Sequence, residues 1–387
     1  MNFSNLRLGI LGGGQLGKML IQAAADWNIY TKVLDPSPEA PCSTIASEFV
    51  CGSLKEYDTV VKFGSDVDFI TIEIESVNVE ALETLQSFGK TVIPDPQLIR
   101  LIQDKRQQKQ FYHAHQIPTA PFVLTENRAA VSLHAHMLPA VHKLGKEGYD
   151  GRGVQVLNSL EDLPKAFDAP GVLEKKIAIE KELAVIVARN ASGEIESFPV
   201  VEMVFHPQQN LVEYLFAPAN IDSFLSQKAT TIAEKVVQTM GFVGLLAVEM
   251  FLTAEGEILV NEVAPRPHNS GHHTIEANYT SQYQQLLRTL FNLPLGNPAS
   301  RCPAAMINLL GQPGYEGKVL YQGIEKVLGI SGVYVHLYGK TITKPFRKMG
   351  HVTILADNFD QLHKKVSLVK EKMRVISHQP TLSPKNG

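Results

Sequence analysis

Cysteine is scarce in this chain: three residues in 387, Cys42, Cys51 and Cys302, with no metal-ligand spacing among them. That scarcity speaks against a disulfide framework and a thiolate metal site, and it suits a reducing compartment. Excess charge is missing as well. Lys and Arg total 36 against 39 for Asp and Glu, a net charge of −3, so nothing argues for a protein that coats nucleic acid or a membrane surface. Any anionic ligand must then be met by local clusters of cations. No apolar run reaches membrane-spanning length, and no basic segment followed by a long apolar one precedes the strand-like residues 6–11. These features point to the cytoplasm. Internal repeats are absent too, and the length implies roughly two or three domains, each large enough for its own core.

Strand and helix signals alternate through the first hundred residues: an apolar run at 6–11, a helical run at 15–27, then strands at 30–34 and 68–74. Alternation of this kind predicts a parallel α/β sheet. Pro94 and Pro96 punctuate it, and one polar helix is expected over 97–115. From Pro118 the pattern becomes α+β: short strands, a glycine-rich loop at 145–153, a strand at 171–175, an alternating strand at 182–189 and an amphipathic helix at 221–240. A helix is expected to run to about residue 293, and Pro294, Gly296 and Pro298 then mark a second boundary before short strand-like runs at 333–338 and 351–355 and a proline-containing tail.

Residues 244–263 hold two apolar runs around Glu255-Gly256, a turn-favouring pair. If those two residues form the loop, Ala254 pairs with Glu257, and counting outward sets Glu249 opposite Glu262. Their Cβ atoms then lie ~5 Å apart on one sheet face, where like charges repel. A cation between them resolves the repulsion. Oxygen-only donors favour Mg²⁺ or Mn²⁺, and Mg²⁺ commonly takes one or two carboxylates plus water and substrate phosphates. The same pair also reads as two solvated glutamates on an exposed face, and a one-residue slip would put them on opposite faces.

Gly12-Gly13-Gly14-Gln15-Leu16-Gly17 fits G-x-G-x-x-G after a strand and before a helix, with Asp35 at the spacing of a ribose-binding acid. The motif's physical content is a tight turn and a helix N-terminus that accepts an anion, which any phosphorylated metabolite satisfies. Asp35 precedes Pro36-Ser37-Pro38 and equally reads as the start of a turn. A second element, Lys143-Leu144-Gly145-Lys146-Glu147-Gly148-Tyr149-Asp150-Gly151-Arg152-Gly153, lacks the Walker order. It reads either as a surface hairpin tip or as a nucleotide lid whose glycines let backbone approach phosphates.

Four strings, taken in order, resemble the ATP-grasp superfamily and, within it, the N5-carboxyaminoimidazole ribonucleotide synthases, over nearly the whole chain. They are Gly13-Gly14-Gln15-Leu16-Gly17; Gly148-Tyr149-Asp150-Gly151-Arg152-Gly153; Asn261-Glu262 followed by Ala264-Pro265-Arg266-Pro267-His268-Asn269-Ser270-Gly271-His272; and Arg347-Lys348-Met349-Gly350-His351. The last two are the specific ones. The resemblance implies an α/β and α+β fold: a Rossmann-like N-terminal domain over 1–105, an ATP-grasp module with a lid over 106–296, and a small β-rich C-terminal domain over 297–387. It implies ATP on Lys105, Lys143, Gly148, Tyr149, Asp150, Gly151, Arg152, Gly153, Val154, Glu174, Lys175, Lys176, Ile177, Glu182, Asn261 and Glu262. Mg²⁺, with Mn²⁺ as a substitute, would lie on Glu249 and Glu262. The ribonucleotide would be held by Gly14, Gln15, Leu16, Glu73, Ser76, Tyr149, Arg152, Arg347 and Lys348, with Asp150, Arg266, His268 and Lys348 in catalytic roles. His268, His272 and His273 also read as loop hydrogen-bond formers, with a catalytic role given only to His268, and His351 reads equally as structural or functional.

The implied reaction is carboxylation of 5-aminoimidazole ribonucleotide, dependent on ATP and bicarbonate and passing through carboxyphosphate, in purine biosynthesis. The implied partners are these small molecules, a second copy in a homodimer and a downstream mutase, with no nucleic acid and no membrane. Two positions depart from the family pattern: Lys105 stands where relatives often carry arginine, which keeps the charge but not the bidentate geometry, and Phe205 aligns with a histidine. The rival readings are another ATP-grasp ligase, such as a formate-dependent glycinamide ribonucleotide transformylase, and a nicotinamide-dependent oxidoreductase built on the first glycine motif. The second leaves Glu249, Glu262 and the second glycine loop unexplained.

Overall fold

The structure, a computed structural model, describes residues 5–146, 148, 153–206 and 211–378. In its N-terminal part β1 (Arg7–Leu11), α1 (Gln15–Ala25), β2 (Tyr30–Asp35), β3 (Glu48–Cys51), α2 (Tyr57–Gly64), β4 (Phe69–Ile72), α3 (Val79–Ser87) and β5 (Thr91–Val92) follow one another. The strands form a five-stranded parallel sheet in the order β3-β2-β1-β4-β5, as the alternation predicts. The order reverses beside β1, so the crevice at its carboxyl end, where the first glycine loop sits, is the usual ligand position of such a sheet.

Two helices replace the single polar helix expected over 97–115: α4 (Pro96–Ile102) and α5 (Lys105–Ala114). Asp104 causes the break, because its carboxylate accepts the Arg106 N–H at 2.9 Å and caps α5. Lys105 thereby enters the first turn of α5, with Lys109 one turn further on the same side. Next come β6 (Phe122–Thr125), α6 (Arg128–Leu133), β7 (Ala140–Leu144), β8 (Val154–Leu157) and β9 (Gly171–Lys175), which build a four-stranded sheet ordered β6-β9-β7-β8.

The large sheet begins with β10 (Ile179–Arg189), β11 (Ile195–Ser197), β12 (Val201–Phe205) and β13 (Val212–Ala217), then takes β14 (Gly244–Thr253) and β15 (Ile258–Ala264) after α7 (Ser223–Met240). Its order is β15-β14-β10-β12-β13 and then, past α8 (Thr274–Ala277) and α9 (Gln282–Leu290), β16 (Ala304–Leu310), β20 (Lys348–Leu355) and β18 (Val333–Leu337). Between these last strands lie β17 (Gly317–Gln322), α10 (Ile324–Leu328) and β19 (Ile342–Thr343), while α11 (Phe359–Lys372) and β21 (Arg374–Ser377) close the described chain. The sequence reading has no counterpart to α11.

β10 does not alternate as expected. Residues 184–188 are all buried, because helices cover both faces of the strand. Val185 and Val187 pack with Ala233, Val236 and Val237 of α7. Ile186 and Ala188 pack with Leu286, Leu287 and Leu290 of α9 and with Met19 of α1. Fully burying an aliphatic side chain of this kind contributes about 1.5–3 kcal/mol. A strand covered on both sides holds its position tightly, and only its first residues, Ile179 and Glu180, are exposed.

Candidate active site

The β14–β15 hairpin brings the two predicted carboxylates together by a route the sequence does not reveal. Thr253 N–H donates to the Glu257 carbonyl at 2.9 Å and Gly256 N–H to the Thr253 carbonyl at 3.0 Å, so the loop has three residues, Ala254, Glu255 and Gly256, with Gly256 left-handed at φ +77°. That shifts the register by one, pairing Leu252 with Ile258 and Met250 with Val260. A β-bulge at Asn261 then shifts it back, and Glu249 faces Glu262. The two departures cancel. The bulge has a further consequence, since Asn261 and Glu262 both oppose Glu249, whereas an unbroken ladder would oppose only one of them.

Basic side chains converge on this set. Lys105 at the start of α5 pairs with Glu262, and His268 Nε2 lies 3.0 Å from Glu249 Oε1. Lys143 of β7 donates to Asn261 Oδ1 at 2.8 Å and stands 3.1 Å from Glu174, which Lys109 meets from the other side at 3.3 Å. Lys105 is the largest influence on the Glu262 carboxyl and holds it well below its usual range. Burial pushes Glu174 up, but Lys143 and Lys109 outweigh it and keep it ionised. Burial also lowers Lys109 to about 8, against the pull of Glu174. Glu182, on the same face as Glu249, is raised to about 7 by burial and by the charges of Glu249 and Glu262.

Among the described residues no group of three or more His, Cys, Asp and Glu side chains is arranged to hold a metal. A two-carboxylate set with an amide oxygen beside it still fits Mg²⁺, which draws its remaining ligands from water and phosphates. Lys105 already meets one of these carboxylates, which marks the position as one that favours a cation.

Beside this cluster an open cleft of about 520 Å³ is lined by Pro118, Thr119, Lys175, Lys176, Ile177 and Leu259. Lys175 and Lys176 direct their N–H groups to the carbonyls of Pro121 and Pro139, at 2.8 and 3.0 Å. Ile177 N–H has no protein acceptor among the described residues, so an edge of the backbone is left for a planar heterocycle. Lys176 Nζ turns away to Asn158.

The first glycine loop is shaped by its own carboxylates. Asp35 accepts Gly13 N–H at 2.7 Å and Ser37 N–H at 2.8 Å, so it closes a turn and is not set to receive a ribose. Glu73 accepts Leu16 N–H at 3.2 Å, and burial raises it to about 7. A Cβ at Gly14 would stand 2.3 Å from Glu73 Oε1, and one at Gly12, where φ is +104°, 2.7 Å from Oε2. The glycines therefore make room for Glu73. Gly14 and Gln15 N–H remain without a protein partner among the described residues, at the N-terminus of α1. Lys340, which the sequence reading passes over, donates to Gln15 Oε1 at 3.1 Å and to the Lys348 carbonyl at 2.9 Å. Lys18 reaches the Leu337 carbonyl alongside.

The remaining predicted residues fall as follows. Arg266 Nε lies 2.9 Å from Glu75 Oε1, so its loop faces the loop after β4, where Ser76 is exposed. Gln282 fixes that loop by bonding both the N–H and the carbonyl of His268. Arg347 donates to the Ile342 carbonyl of β19. Val154 begins β8, and Gly153 lies so close that a Cβ would stand 3.1 Å from Gly148 Cα, closing the neck of the second glycine loop. Tyr149, Asp150, Gly151 and Arg152 lie outside the described residues. His272 and His351 are buried and bonded to the hydroxyls of Tyr283 and Tyr338, and with His273 they are pushed below the usual imidazole range by burial. Lys109 and Glu75 were also missed. The spacing of Lys109 from Lys105 was a usable signal for the first, and nothing in sequence marks the second.

A two-sheet cleft carrying paired carboxylates and buried lysines defines a nucleotide-binding site of the ATP-grasp class. Family models agree: a ribonucleotide synthetase preATP-grasp domain matches residues 6–103, an ATP-grasp domain 110–283, and a phosphoribosylaminoimidazole carboxylase C-terminal domain 304–365. N5-carboxyaminoimidazole ribonucleotide synthetase from Thermotoga maritima is similar at 40% identity and a TM-score of 0.89, over 96% of this chain and 100% of that one. The Aspergillus clavatus synthase in complex with ADP and 5-aminoimidazole ribonucleotide is similar at 33% identity and a TM-score of 0.87, over 96% and 99%. The chloroplastic phosphoribosylaminoimidazole carboxylase of Vigna aconitifolia is 39% identical, and the alignment spans 94% of this chain but 66% of that longer protein. The chain belongs to the N5-carboxyaminoimidazole ribonucleotide synthase family.

Proposed function

We propose that the protein carboxylates the exocyclic amine of 5-aminoimidazole ribonucleotide at the expense of ATP and bicarbonate. The observation that carries this reading is the cross-strand pair of Glu249 and Glu262, joined by His268 to the loop that holds Arg266. Nucleotide chemistry and ribonucleotide chemistry then meet at one junction.

In this reading the base lies in the cleft at Ile177, Glu182 meets the ribose, and Lys105 and Lys143 move from their carboxylate and amide partners to the phosphates. Glu249, Glu262 and Asn261 would hold Mg²⁺, with Mn²⁺ as a substitute, and the bound ion would offset charge on the nucleotide's phosphates. Bicarbonate attacks the γ-phosphorus, ADP departs, and carboxyphosphate forms beside Arg266 and His268, whose positive or hydrogen-bonding groups face the new anion. The amine of the ribonucleotide then takes the carboxyl carbon and inorganic phosphate leaves. Asp150 is assigned to take the amine proton, and Lys348 to balance the anionic intermediate. The ribonucleotide phosphate is assigned to Gly14 and Gln15 N–H with Lys340 and Lys18 beside them. Assembly as a homodimer, a mutase that consumes the product and a cytoplasmic setting belong to the same proposal. Among the described residues no helix is long and apolar enough to cross a membrane, and all three cysteines are unpaired.

The experiment is ADP release with Mg-ATP and bicarbonate, with and without the ribonucleotide, in wild type and Glu262→Ala. Turnover that requires bicarbonate, rises with ribonucleotide and collapses in the variant supports the proposal. Turnover indifferent to the ribonucleotide, or untouched in Glu262→Ala, overturns it.

A further inference from the structure

The turn ahead of Lys348 is built on an unusual residue for its geometry. Lys344, Pro345, Phe346 and Arg347 form a β-turn closed by Arg347 N–H donating to the Lys344 carbonyl at 3.0 Å. Proline fixes a negative φ at the second position, and Phe346 follows at φ +62°. That combination is a type II turn, whose third position normally takes glycine or asparagine. A bulky L residue there is strained, and such strain persists only where its surroundings impose it.

Gly311 imposes it here. Phe346 N–H donates to the Gly311 carbonyl at 2.8 Å, and Gly311 N–H donates to the Arg347 carbonyl at 2.9 Å. A Cβ on Gly311 would stand 2.2 Å from the Lys344 carbonyl oxygen, so the two backbones meet as closely as glycine permits. The clamp fixes the turn, and the left-handed backbone then determines where the ring goes. The ring meets His206 edge-to-face, with centroids 5.4 Å apart and planes at 68°.

The partner is well placed to matter. His206 follows β12 directly, and its N–H donates to the Leu211 carbonyl at 2.9 Å. β12 runs beside β10, where Met203 pairs with Glu182. On the other side of the contact, Lys348 starts β20 two residues after Phe346, opposite Leu310. One aromatic contact therefore spans from the strand flanking the ribose carboxylate to the strand carrying Lys348.

We propose that Phe346 is a positioning residue, its ring braced on His206 to set Lys348 against the nucleotide side of the site. The strain is the cost of aiming that ring, since glycine would relax the turn but reach nothing. This rests on the reading of Lys348 as a ribonucleotide-site residue.

The test compares Phe346→Gly with Phe346→Ala in the full-length protein. Both lack the ring, but only the first removes the left-handed penalty, so the glycine variant has the higher Tm of the two. If the ring is the brace, KM for the ribonucleotide rises about five- to tenfold in both variants despite their different Tm, while KM for ATP stays at the wild-type value. His206→Ala reproduces the rise, and combining it with Phe346→Gly adds nothing further. A wild-type KM for the ribonucleotide in Phe346→Gly overturns the proposal, because turn geometry alone then suffices. Additive effects of the His206 and Phe346 variants overturn it as well. A wild-type enzyme that ignores the ribonucleotide sinks the functional reading and this proposal together, whereas responsive wild type with unaltered variants sinks the brace alone.

Discussion

His268 Nε2 lies 3.0 Å from Glu249 Oε1, so a carboxylate of the β14–β15 hairpin and the loop that carries Arg266 share one contact. Gln282 holds both backbone groups of His268, and Ser270 N–H donates to its Nδ1 at 3.3 Å, so the ring is held with Nε2 against Glu249. His268→Ala should therefore separate the two halves of the reaction. ADP release should persist while carboxylated product falls about tenfold or more, within the range of lost acid–base or hydrogen-bonding assistance. The measurement is the ratio of ADP to product. A proportional fall in both would remove His268 from the carboxylation step.

Glu174 is the counter-charge for two lysines, and its side chain is only 4% exposed. Glu174→Gln leaves Lys109 and Lys143 facing each other without it. Breaking a buried pair costs about 3–5 kcal/mol, and urea unfolding at neutral pH should report a loss of that order. The pH dependence has a definite sign. The folded Glu174 carboxyl lies below its ordinary value of 4.5, so its contribution is present above that pH and is lost as pH falls through the folded value. The gap between wild type and variant should narrow in acid.

Glu73 should behave in the opposite sense. Burial raises it from 4.5 to about 7, so the folded state retains a proton that the unfolded chain has already lost between those values. Stability from this group is full below pH 4.5 and declines as pH rises to about 7. Glu73→Gln keeps an acceptor for Leu16 N–H and carries no charge. Its Tm should exceed that of wild type above pH 7 and match it below 4.5. A constant difference across that range would mean that Glu73 is not titrating there.

The N-terminal winding was legible because parallel strands and crossover helices leave long, regular signals, whereas the carboxylate pair was legible by a count whose steps were not. The predicted two-residue loop has three residues, and the bulge at Asn261 restores the register; neither leaves a mark in hydrophobic pattern. Asp35 shows the converse. Its spacing suits a dinucleotide motif, yet two backbone N–H groups occupy its carboxylate. Lys340 and Glu75 could not be read from sequence, because loop residues acquire partners only through tertiary placement, here Gln15 and Arg266. The double burial of β10 was hidden for a similar reason: alternation reports one covered face, and α9 supplies the second.

The sheet does not stop where the sequence changes character. Tyr214, Leu215, Phe216 and Ala217 of β13 are paired with residues 304–307 of β16, and β20 and β18 follow without a break. The residues after Pro303 are thus not a detachable appendage. Ending the chain there would bare the backbone of β13 along its length, leaving an unpaired edge open to the strands of other molecules. Material shortened in this way should be lost to self-association before its chemistry could be assayed, so a transplanted C-terminal segment must supply a matching strand as well as a lysine.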